Sequence, residues 1–225
     1  TWDDPIIIGG GPCAYNPEPI ADFFDLFYIG EGETQYRALI DLYKDCKAKG
    51  MAREDFLAEA GKLPGIYAPQ FYQVTYHDDG TIKSFEPTRI DMPKTITKEL
   101  VSDVTNTYYP EKLVVPFIKC TQDRVVLEIQ RGCIRGCRFC QAGMIYRPVR
   151  EKSAKTLLKQ AKALIESTGY DEISLSSLST SDYRELKELT DGLLEMTESK
   201  RINLALPSLR LDSFSMELMD KITKV

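Results

Sequence analysis

Apolar residues in the second half of the chain follow two alternating spacings, which predict strands separated by helices. The apolar run over 125–130 predicts a short buried strand. Over 153–166 the apolar residues recur at helical spacing, with Ser153 as the expected N-cap and Gly169 as the expected stop. The alternation continues with a strand over 172–178, a helix over 182–198, a strand over 202–206 and a helix over 216–222. This order favours βαβ units, a parallel sheet and right-handed crossovers.

The first fifty residues show a related order. An apolar segment over 6–11, which ends in glycines, predicts a buried strand, and 23–29 predicts a second strand. The stretch 34–49 is predicted to be a helix, because apolar residues recur along one of its faces. That face consists of Tyr36, Leu39, Ile40 and Tyr43.

A connector over 51–124 follows this segment. It contains a predicted short helix over 54–60, then strands over 72–76 and 81–85 around an Asp-Gly turn, which predicts a β-hairpin. An irregular tract rich in Pro, Thr and Lys completes it. We expect the connector to set the two flanking units against each other.

The composition is that of a globular chain. Its 225 residues allow one or two domains with an ample core, and its net charge of −5 gives no overall attraction to nucleic acid. A basic stretch over 131–162 is explained by a solvated helix face, with RNA contact as the alternative. No apolar run has the length of a membrane span, so we expect no membrane partner. The abrupt start and end lead us to expect a fragment of a longer protein.

Three cysteines directly after the strand 125–130 carry the main chemical signal. Cys133, Cys137 and Cys140 have the spacing C-x3-C-x2-C, and the aromatic residue Phe139 precedes the third. Iron–sulfur cubes are usually held by four cysteines, so a loop that offers three leaves one iron open. An open coordination position is typical of catalytic rather than structural metal sites.

The residues between the cysteines suit this chemistry. Gly132 and Gly136 would let the backbone curl closely around a cluster. Positive charge next to the cysteines would favour thiolates over thiols and offset the negative charge of a cluster. The residues that would supply it are Arg131, Arg135 and Arg138.

A structural zinc site is the main alternative. Such a site needs four ligands, usually as two closely spaced pairs, and only Cys137 and Cys140 form such a pair here. Cys120 is the nearest further cysteine, and His77 is the single histidine. A disulfide framework fits less well, because the chain is too long and too rich in core residues for a small stapled domain.

The cysteine loop resembles that of radical S-adenosylmethionine (SAM) enzymes. The resemblance implies a 4Fe–4S cluster on Cys133, Cys137 and Cys140, with SAM chelating the open iron and Phe139 beside its adenine. It implies reductive cleavage of SAM to a 5′-deoxyadenosyl radical, which abstracts hydrogen from an unknown substrate. It also implies a low-potential electron donor of the flavodoxin or ferredoxin type. A catalytically silent cluster-binding scaffold remains a second alternative.

The family fold is a partial (β/α)6 barrel related to the TIM barrel, with the cluster loop after the first strand. In such barrels the chemistry lies at the carboxyl ends of the strands. We therefore expect SAM contacts from Ser176 and Ser177, and from Ser208 and Arg210, after the second and third strands. Ser179 and Thr180 should lie near the cofactor too. The glycine-rich segment usual after the second strand is replaced here by serines, whose hydroxyl groups can accept a hydrogen bond from the methionine amino group.

The first fifty residues resemble the last part of a flavodoxin-like, cobalamin-binding domain that precedes many radical SAM barrels. Gly9, Gly10 and Gly11 match the glycines that let the cobalamin tail approach the backbone, although an ordinary tight turn explains them equally well. The cobalt-ligating histidine motif of the family is not matched, since His77 lies in the predicted hairpin turn. Cobalamin is thus a cofactor that a longer parent protein could use.

The resemblance divides the chain into three parts. These are an α/β flavodoxin-like remnant over 1–50, the connector over 51–124, and the first three βα units of the barrel over 125–225. Over nearly its whole length the chain resembles uncharacterised bacterial proteins that fuse a cobalamin-type domain to a radical SAM barrel. tRNA-modifying methylthiotransferases share the arrangement, but they carry three further N-terminal cysteines. Only Cys13 and Cys46 occur upstream of Cys120 here, which argues against that activity. Unprotected thiols and an oxygen-labile cluster imply a reducing cytoplasm.

Overall fold

The computed structural model describes residues 2–213 together with Met216 and Asp220. The chain forms two compact units, Thr1–Val101 and Ser102–Val225. No helix among the described residues is both long enough and apolar enough to cross a membrane. The division into three parts at residues 50 and 124 remains a prediction.

The first unit is built on a small mixed sheet. β1 (Ile8–Gly9) runs parallel to β2 (Leu26–Tyr28), and β2 runs antiparallel to β3 (Ile66–Tyr67). Helices α1 (Tyr36–Ala48) and α2 (Arg53–Ala60) share a buried apolar cluster with β2 and β3. The core of that cluster includes Leu26, Tyr28, Ile66, Leu39, Phe56 and Leu57.

Two details of this unit differ from the prediction. The first strand is limited to β1, and Ile7 and Ile8 are 42% and 36% exposed, because β1 pairs with β2 alone. The buried residues of α1 are Leu39 and Cys46, whereas Tyr36 and Ile40 are exposed. The apolar spacing therefore identified the helix correctly but placed its buried face too close to its N-terminus.

The predicted β-hairpin is present. It consists of β4 (Tyr72–Tyr76) and β5 (Ile82–Pro87), which pair antiparallel. The turn is closed by a hydrogen bond from the backbone N–H of His77 to the carbonyl oxygen of Thr81, at 2.8 Å. Gly80 occupies it with φ of 82°, a left-handed conformation that glycine adopts without strain.

The second unit contains the predicted parallel sheet. Strands β6 (Val125–Glu128), β9 (Glu172–Ser176) and β10 (Asn203–Ala205) are all parallel, in the order β10–β9–β6. Between β6 and β9 lie β7 (Gln130–Arg131), α3 (Ala142–Ile145), β8 (Arg150–Glu151) and α4 (Ala154–Thr168), and α5 (Leu186–Thr197) precedes β10.

Two helices cover this sheet and form the main core of the unit. Leu157 and Leu164 of α4 and Leu189 and Leu193 of α5 are fully buried against the strands. The strand residues in the same cluster are Val125, Leu127, Ile173, Leu175 and Leu204.

The described residues thus give two strand–helix units and a third strand, a mixed α/β fold with a parallel sheet. The helix predicted over 216–222 lies outside the described residues, except for Met216 and Asp220. The flavodoxin-like and barrel assignments remain predictions.

Both predicted boundaries of α4 are confirmed. The hydroxyl oxygen of Ser153 accepts a hydrogen bond from the backbone N–H of Thr156 at 3.3 Å, as an N-cap does. At the other end Gly169 adopts a left-handed conformation with φ of 71°.

The Ser153 cap gives a direct stability test. Ser153→Ala should lower the free energy of unfolding by about 1 kcal/mol, because the N–H of Thr156 loses its acceptor. Ser153→Asp should retain the cap, since aspartate is an equally good N-cap residue. Urea unfolding followed by circular dichroism measures both variants, and equal stability of Ser153→Ala and the wild type would contradict the assignment.

Candidate functional site

The candidate site is the loop between β7 and β8, at the carboxyl edge of the parallel sheet. β6 continues through Ile129, whose N–H donates to the carbonyl oxygen of Ser176 at 3.0 Å. β7 and β8 then pair antiparallel, with Gln130 opposite Glu151 and Arg131 opposite Arg150. This pairing closes the base of the cysteine loop, which we define as residues 132–149.

Gly132 stands where the cysteine loop leaves β7, and only glycine fits there. Its φ is 86°, and a Cβ atom on it would lie 2.6 Å from the carbonyl oxygen of Tyr146 and 2.7 Å from that of Pro148. Gly136 differs, because an added Cβ atom there would meet nothing within 4 Å. Close backbone approach is therefore required at Gly132 and not at Gly136.

The three cysteines of the loop are free thiols that are partly exposed. The backbone N–H of Arg135 donates to Sγ of Cys133 at 3.4 Å, and Nη1 of Arg210 donates to Sγ of Cys137 at 3.7 Å. The N–H of Cys140 donates to the carbonyl oxygen of Cys137 at 3.0 Å, which forms a tight turn. Donors at two sulfur atoms match the negative charge that a metal-ligating sulfur carries.

The cysteine loop offers the sulfur ligands that an iron–sulfur cluster uses, but their side chains do not converge on one point in this structure. Three free cysteines lie within eight residues of one loop, one fewer than the four that usually hold an iron–sulfur cube. In the described part of the chain, no three His, Cys, Asp or Glu side chains stand close enough together to hold a metal ion. The assignment of Cys133, Cys137 and Cys140 as ligands remains a prediction.

The turn after β9 makes the principal contacts with the cysteine loop. The guanidinium group of Arg135 binds the carboxylate of Asp182 through two nitrogen atoms, with Nε 2.8 Å from Oδ2 and Nη2 closing the fork on Oδ1. The hydroxyl of Ser179 donates to the same carboxylate at 2.8 Å. These bonds, chiefly those from Arg135, lower the pKa of Asp182 to about 2.

The same turn is bound to the neighbouring strands. Nε2 of the buried Gln130 side chain donates to the carbonyl oxygen of Ser179 at 2.9 Å. Thr180 is fully buried, and its N–H and hydroxyl donate to the carbonyl oxygens of Ser208 and Pro207 at 3.2 and 2.6 Å. The loops after β6, β9 and β10 are therefore joined at one edge of the sheet.

The residues predicted to contact SAM differ in their exposure and in their hydrogen-bond partners. Arg210 reaches the cysteine loop, but its guanidinium also binds Asp212 in a fork at 3.0 and 2.8 Å. Ser176 is exposed at the end of β9, and Ser208 is exposed with a left-handed φ of 59°. Ser177 shares a hydrogen bond with the Thr180 hydroxyl at 2.9 Å.

Phe139 is 92% exposed on the cysteine loop. Ser179 and Thr180, in contrast, are buried, and their bonds lie within the turn after β9 or join it to the neighbouring strand-end loops. The SAM-binding roles of Phe139, Ser176, Ser177, Ser208 and Arg210 remain predictions.

The three arginines beside the cysteines have different surroundings in the structure, and their role in offsetting a cluster's charge remains a prediction. Arg131 forms a fork with Glu128 at 2.9 and 3.1 Å, and Arg135 is neutralised by Asp182. Arg138 is exposed. Sequence reasoning missed Asp182 and Gln130 as contacts of this region. The available signal was a loop rich in arginine that needed counter-charges.

A small cavity of about 290 Å³ adjoins the cysteine loop. Its volume is just below the range of roughly 300–1,000 Å³ usual for small-molecule pockets. Apolar atoms make up most of its exposed wall, and the amide oxygen of Gln130 there is buried without a hydrogen-bond partner among the described residues. The lining residues are Gln130, Ile134, Val149, Glu151, Asp182 and Arg184.

Local packing and backbone conformation account for two of the three glycines at positions 9 to 11. A Cβ atom on Gly9 would lie 2.6 Å from the ring of Phe27, and Gly11 has φ of 84° at the start of the 3₁₀ helix Pro12–Tyr15. Gly10 has more room, with the carbonyl oxygen of Tyr28 at 3.8 Å from an added Cβ. A cobalamin contact at Gly9, Gly10 and Gly11 remains a prediction.

The two glycines of the cysteine loop give a matched pair of variants. Gly132→Ala should lower the melting temperature and the iron taken up on reconstitution, because the new Cβ would collide with two backbone carbonyl groups that cannot move away independently. Gly136→Ala should change both quantities little. Thermal unfolding and iron analysis measure the effect, and equal behaviour of the two variants would contradict the described loop base.

Two segments of the sequence match known family models. Residues 1–69 match a family model described as Radical SAM proteins, N-terminal, and residues 127–225 match one described as Radical SAM superfamily. An uncharacterized protein of Methanocaldococcus jannaschii is 28% identical over 224 residues, which cover 95% of this chain and 40% of that protein. This chain therefore spans 40% of the length of the curated relative that it matches.

One solved structure is similar to this chain at low sequence identity. It is the radical SAM methyltransferase TsrM from Kitasatospora setae, with tryptophan substrate and the SAM analogue aza-SAM bound. The identity is 14%, the TM-score is 0.48, and the similarity covers 96% of this chain and 39% of that one. The two family matches alone assign radical SAM superfamily domains to this chain, an N-terminal one over residues 1–69 and the core one over residues 127–225.

Proposed function

We propose that this protein is a radical SAM enzyme whose 4Fe–4S cluster is held by Cys133, Cys137 and Cys140. One observation carries the proposal. Three free cysteines lie on a single loop at the carboxyl edge of a parallel sheet, within the segment that matches the radical SAM core. Sites of α/β folds with parallel strands lie at this edge.

The protein's own contribution is to hold and shield the reacting groups. When bound together, a 4Fe–4S cluster and SAM supply a reductively formed radical that abstracts hydrogen from a substrate. The β7–β8 pair fixes the ends of the loop, and the N–H of Arg135 and the guanidinium of Arg210 donate to two of the sulfur atoms. These donors would stabilise the negative charge of the ligating sulfur atoms.

We propose that SAM lies against the ends of β9 and β10. Arg210 would offer positive charge to the methionine carboxylate, which would then compete with Asp212 for the guanidinium fork. The exposed hydroxyl groups of Ser176 and Ser208 would accept or donate hydrogen bonds there, and Ser177 would act with them. The exposed ring of Phe139 offers an apolar surface for adenine.

Three further parts of the proposal concern the cellular setting. A low-potential electron donor of the flavodoxin or ferredoxin type would reduce the cluster. A reducing cytoplasm would preserve the free thiols. The glycine segment over 9–11 would contact cobalamin if a longer form of the protein uses that cofactor.

Iron analysis of the anaerobically purified, iron- and sulfide-reconstituted protein tests the proposal. We expect about four irons per chain, as a single 4Fe–4S cluster requires. The EPR spectrum of the reduced protein should change when SAM is added, because SAM would bind the open iron.

A matched pair of cysteine variants makes this test specific. Cys137→Ala should abolish iron uptake, whereas Cys120→Ala should retain it, because Cys120 is exposed and lies outside the cysteine loop. Stoichiometric zinc without iron uptake would overturn the proposal in favour of a structural metal site. A cluster whose EPR spectrum does not change when SAM is added would point to a catalytically silent scaffold.

A further inference from the structure

We propose that Asp182 is a positioning residue of the cluster site, which holds the cysteine loop in place through Arg135. The consequence for cluster binding rests on the proposed function. Asp182 lies in the 3₁₀ turn Thr180–Asp182 after β9 and reaches across 47 positions of the chain to Arg135. Arg135 stands midway between Cys133 and Cys137.

The first step of the argument is the geometry of the ion pair. Both ends of the Arg135 fork bind Asp182, and Nε lies 2.8 Å from Oδ2. The Asp182 side chain is only 8% exposed, whereas that of Arg135 is 35% exposed. A bidentate bond to a shielded carboxylate is among the strongest and most directional contacts that an arginine makes. It fixes the position of Arg135 and not merely its charge.

The second step is that Asp182 is itself fixed. Its carboxylate accepts from the Ser179 hydroxyl at 2.8 Å, and its backbone N–H donates to the Ser179 carbonyl oxygen at 3.1 Å. The same carbonyl oxygen accepts from the side chain of Gln130 in β7 at 2.9 Å. One turn thus binds β7, directly before the cysteine loop, through Gln130, and the segment between the first two cysteines through Arg135.

The third step concerns the backbone groups of Arg135 and their contacts within the cysteine loop. Its backbone N–H donates to Sγ of Cys133 at 3.4 Å, and its carbonyl oxygen accepts from Nη2 of Arg147 at 3.5 Å. The described contact from the loop after β10 to a sulfur of the cysteine loop, Arg210 to Cys137, is longer, at 3.7 Å. Releasing Arg135 would therefore free the backbone between the first two cysteines.

Two variants and one control separate this role from general stability. Asp182→Asn removes the charge while retaining the shape, and Arg135→Lys retains the charge but loses the fork. The control is Glu172→Gln, which breaks the ion pair between Arg124 and Glu172, with a distance of 2.6 Å. Arg124 directly precedes β6 and Glu172 begins β9, so this pair lies at the amino ends of the strands, away from the cysteine loop.

The first readout is the reactivity of each cysteine in the cluster-free protein. Alkylation by iodoacetamide is followed by peptide mass spectrometry, with the exposed Cys13 and Cys120 as internal references. In Asp182→Asn and Arg135→Lys, Cys133 and Cys137 should react roughly tenfold faster relative to those references, as loss of a charged hydrogen bond implies. Glu172→Gln should leave the ratio unchanged.

The second readout is cluster formation. Asp182→Asn and Arg135→Lys should both take up less iron than Glu172→Gln under identical reconstitution. The iron that they retain should give a broadened EPR spectrum after reduction. If the wild-type protein itself takes up no iron, the proposed function fails, but the alkylation rates still decide whether Asp182 positions the loop.

Two results would overturn the positioning role. One is unchanged reactivity of Cys133 and Cys137 in both Asp182→Asn and Arg135→Lys. The other is equal acceleration at Cys13 and Cys120, which would mean general loosening. If Asp182→Asn does not fold, Arg135→Lys decides the question, since it leaves the buried carboxylate with a cationic neighbour.

Discussion

The parallel pairing of β6, β9 and β10 is the constraint on which the rest of the second unit depends. Because the three strands run in the same direction, their carboxyl ends reach one edge of the sheet, and the loops that follow them must meet there. The two crossover helices cover the sheet with a common apolar core. The chemistry of the chain is thereby confined to segments that a rigid scaffold holds close together.

Within that edge the chain uses short polar contacts rather than apolar packing to arrange the cysteine loop. The β7–β8 pair closes the loop at its base, and Gly132 permits the backbone to pass close to two carbonyl groups. Further along, the guanidinium of Arg135 binds Asp182 in the turn after β9, and its backbone N–H donates to Sγ of Cys133. The guanidinium of Arg210 binds Asp212 two positions away and donates to Sγ of Cys137. Much of the positive charge near the cysteines is thus already balanced, and it directs the loop as well as offering charge to a ligand.

The sequence predicted those features that depend on local spacing. Ser153 and Gly169 bound α4 as expected, and the Asp-Gly turn forms its hairpin, because caps and turns involve residues a few positions apart. The buried face of α1 and the exposure of Ile7 depend on which neighbours cover them, which local spacing does not report. Asp182 was missed for the same reason, since its partner lies 47 positions away. The cysteine spacing carried the superfamily assignment, whereas the roles of single serines did not follow from it.

The central claim is that three cysteines hold a cluster with one iron left for SAM. Mössbauer spectroscopy of the protein reconstituted with iron-57, recorded with and without SAM, tests it most directly. The account predicts that roughly one quarter of the iron signal, one site of a 4Fe–4S cluster, shifts when SAM is added. Absence of bound iron, or a spectrum in which no iron site responds to SAM, would contradict it.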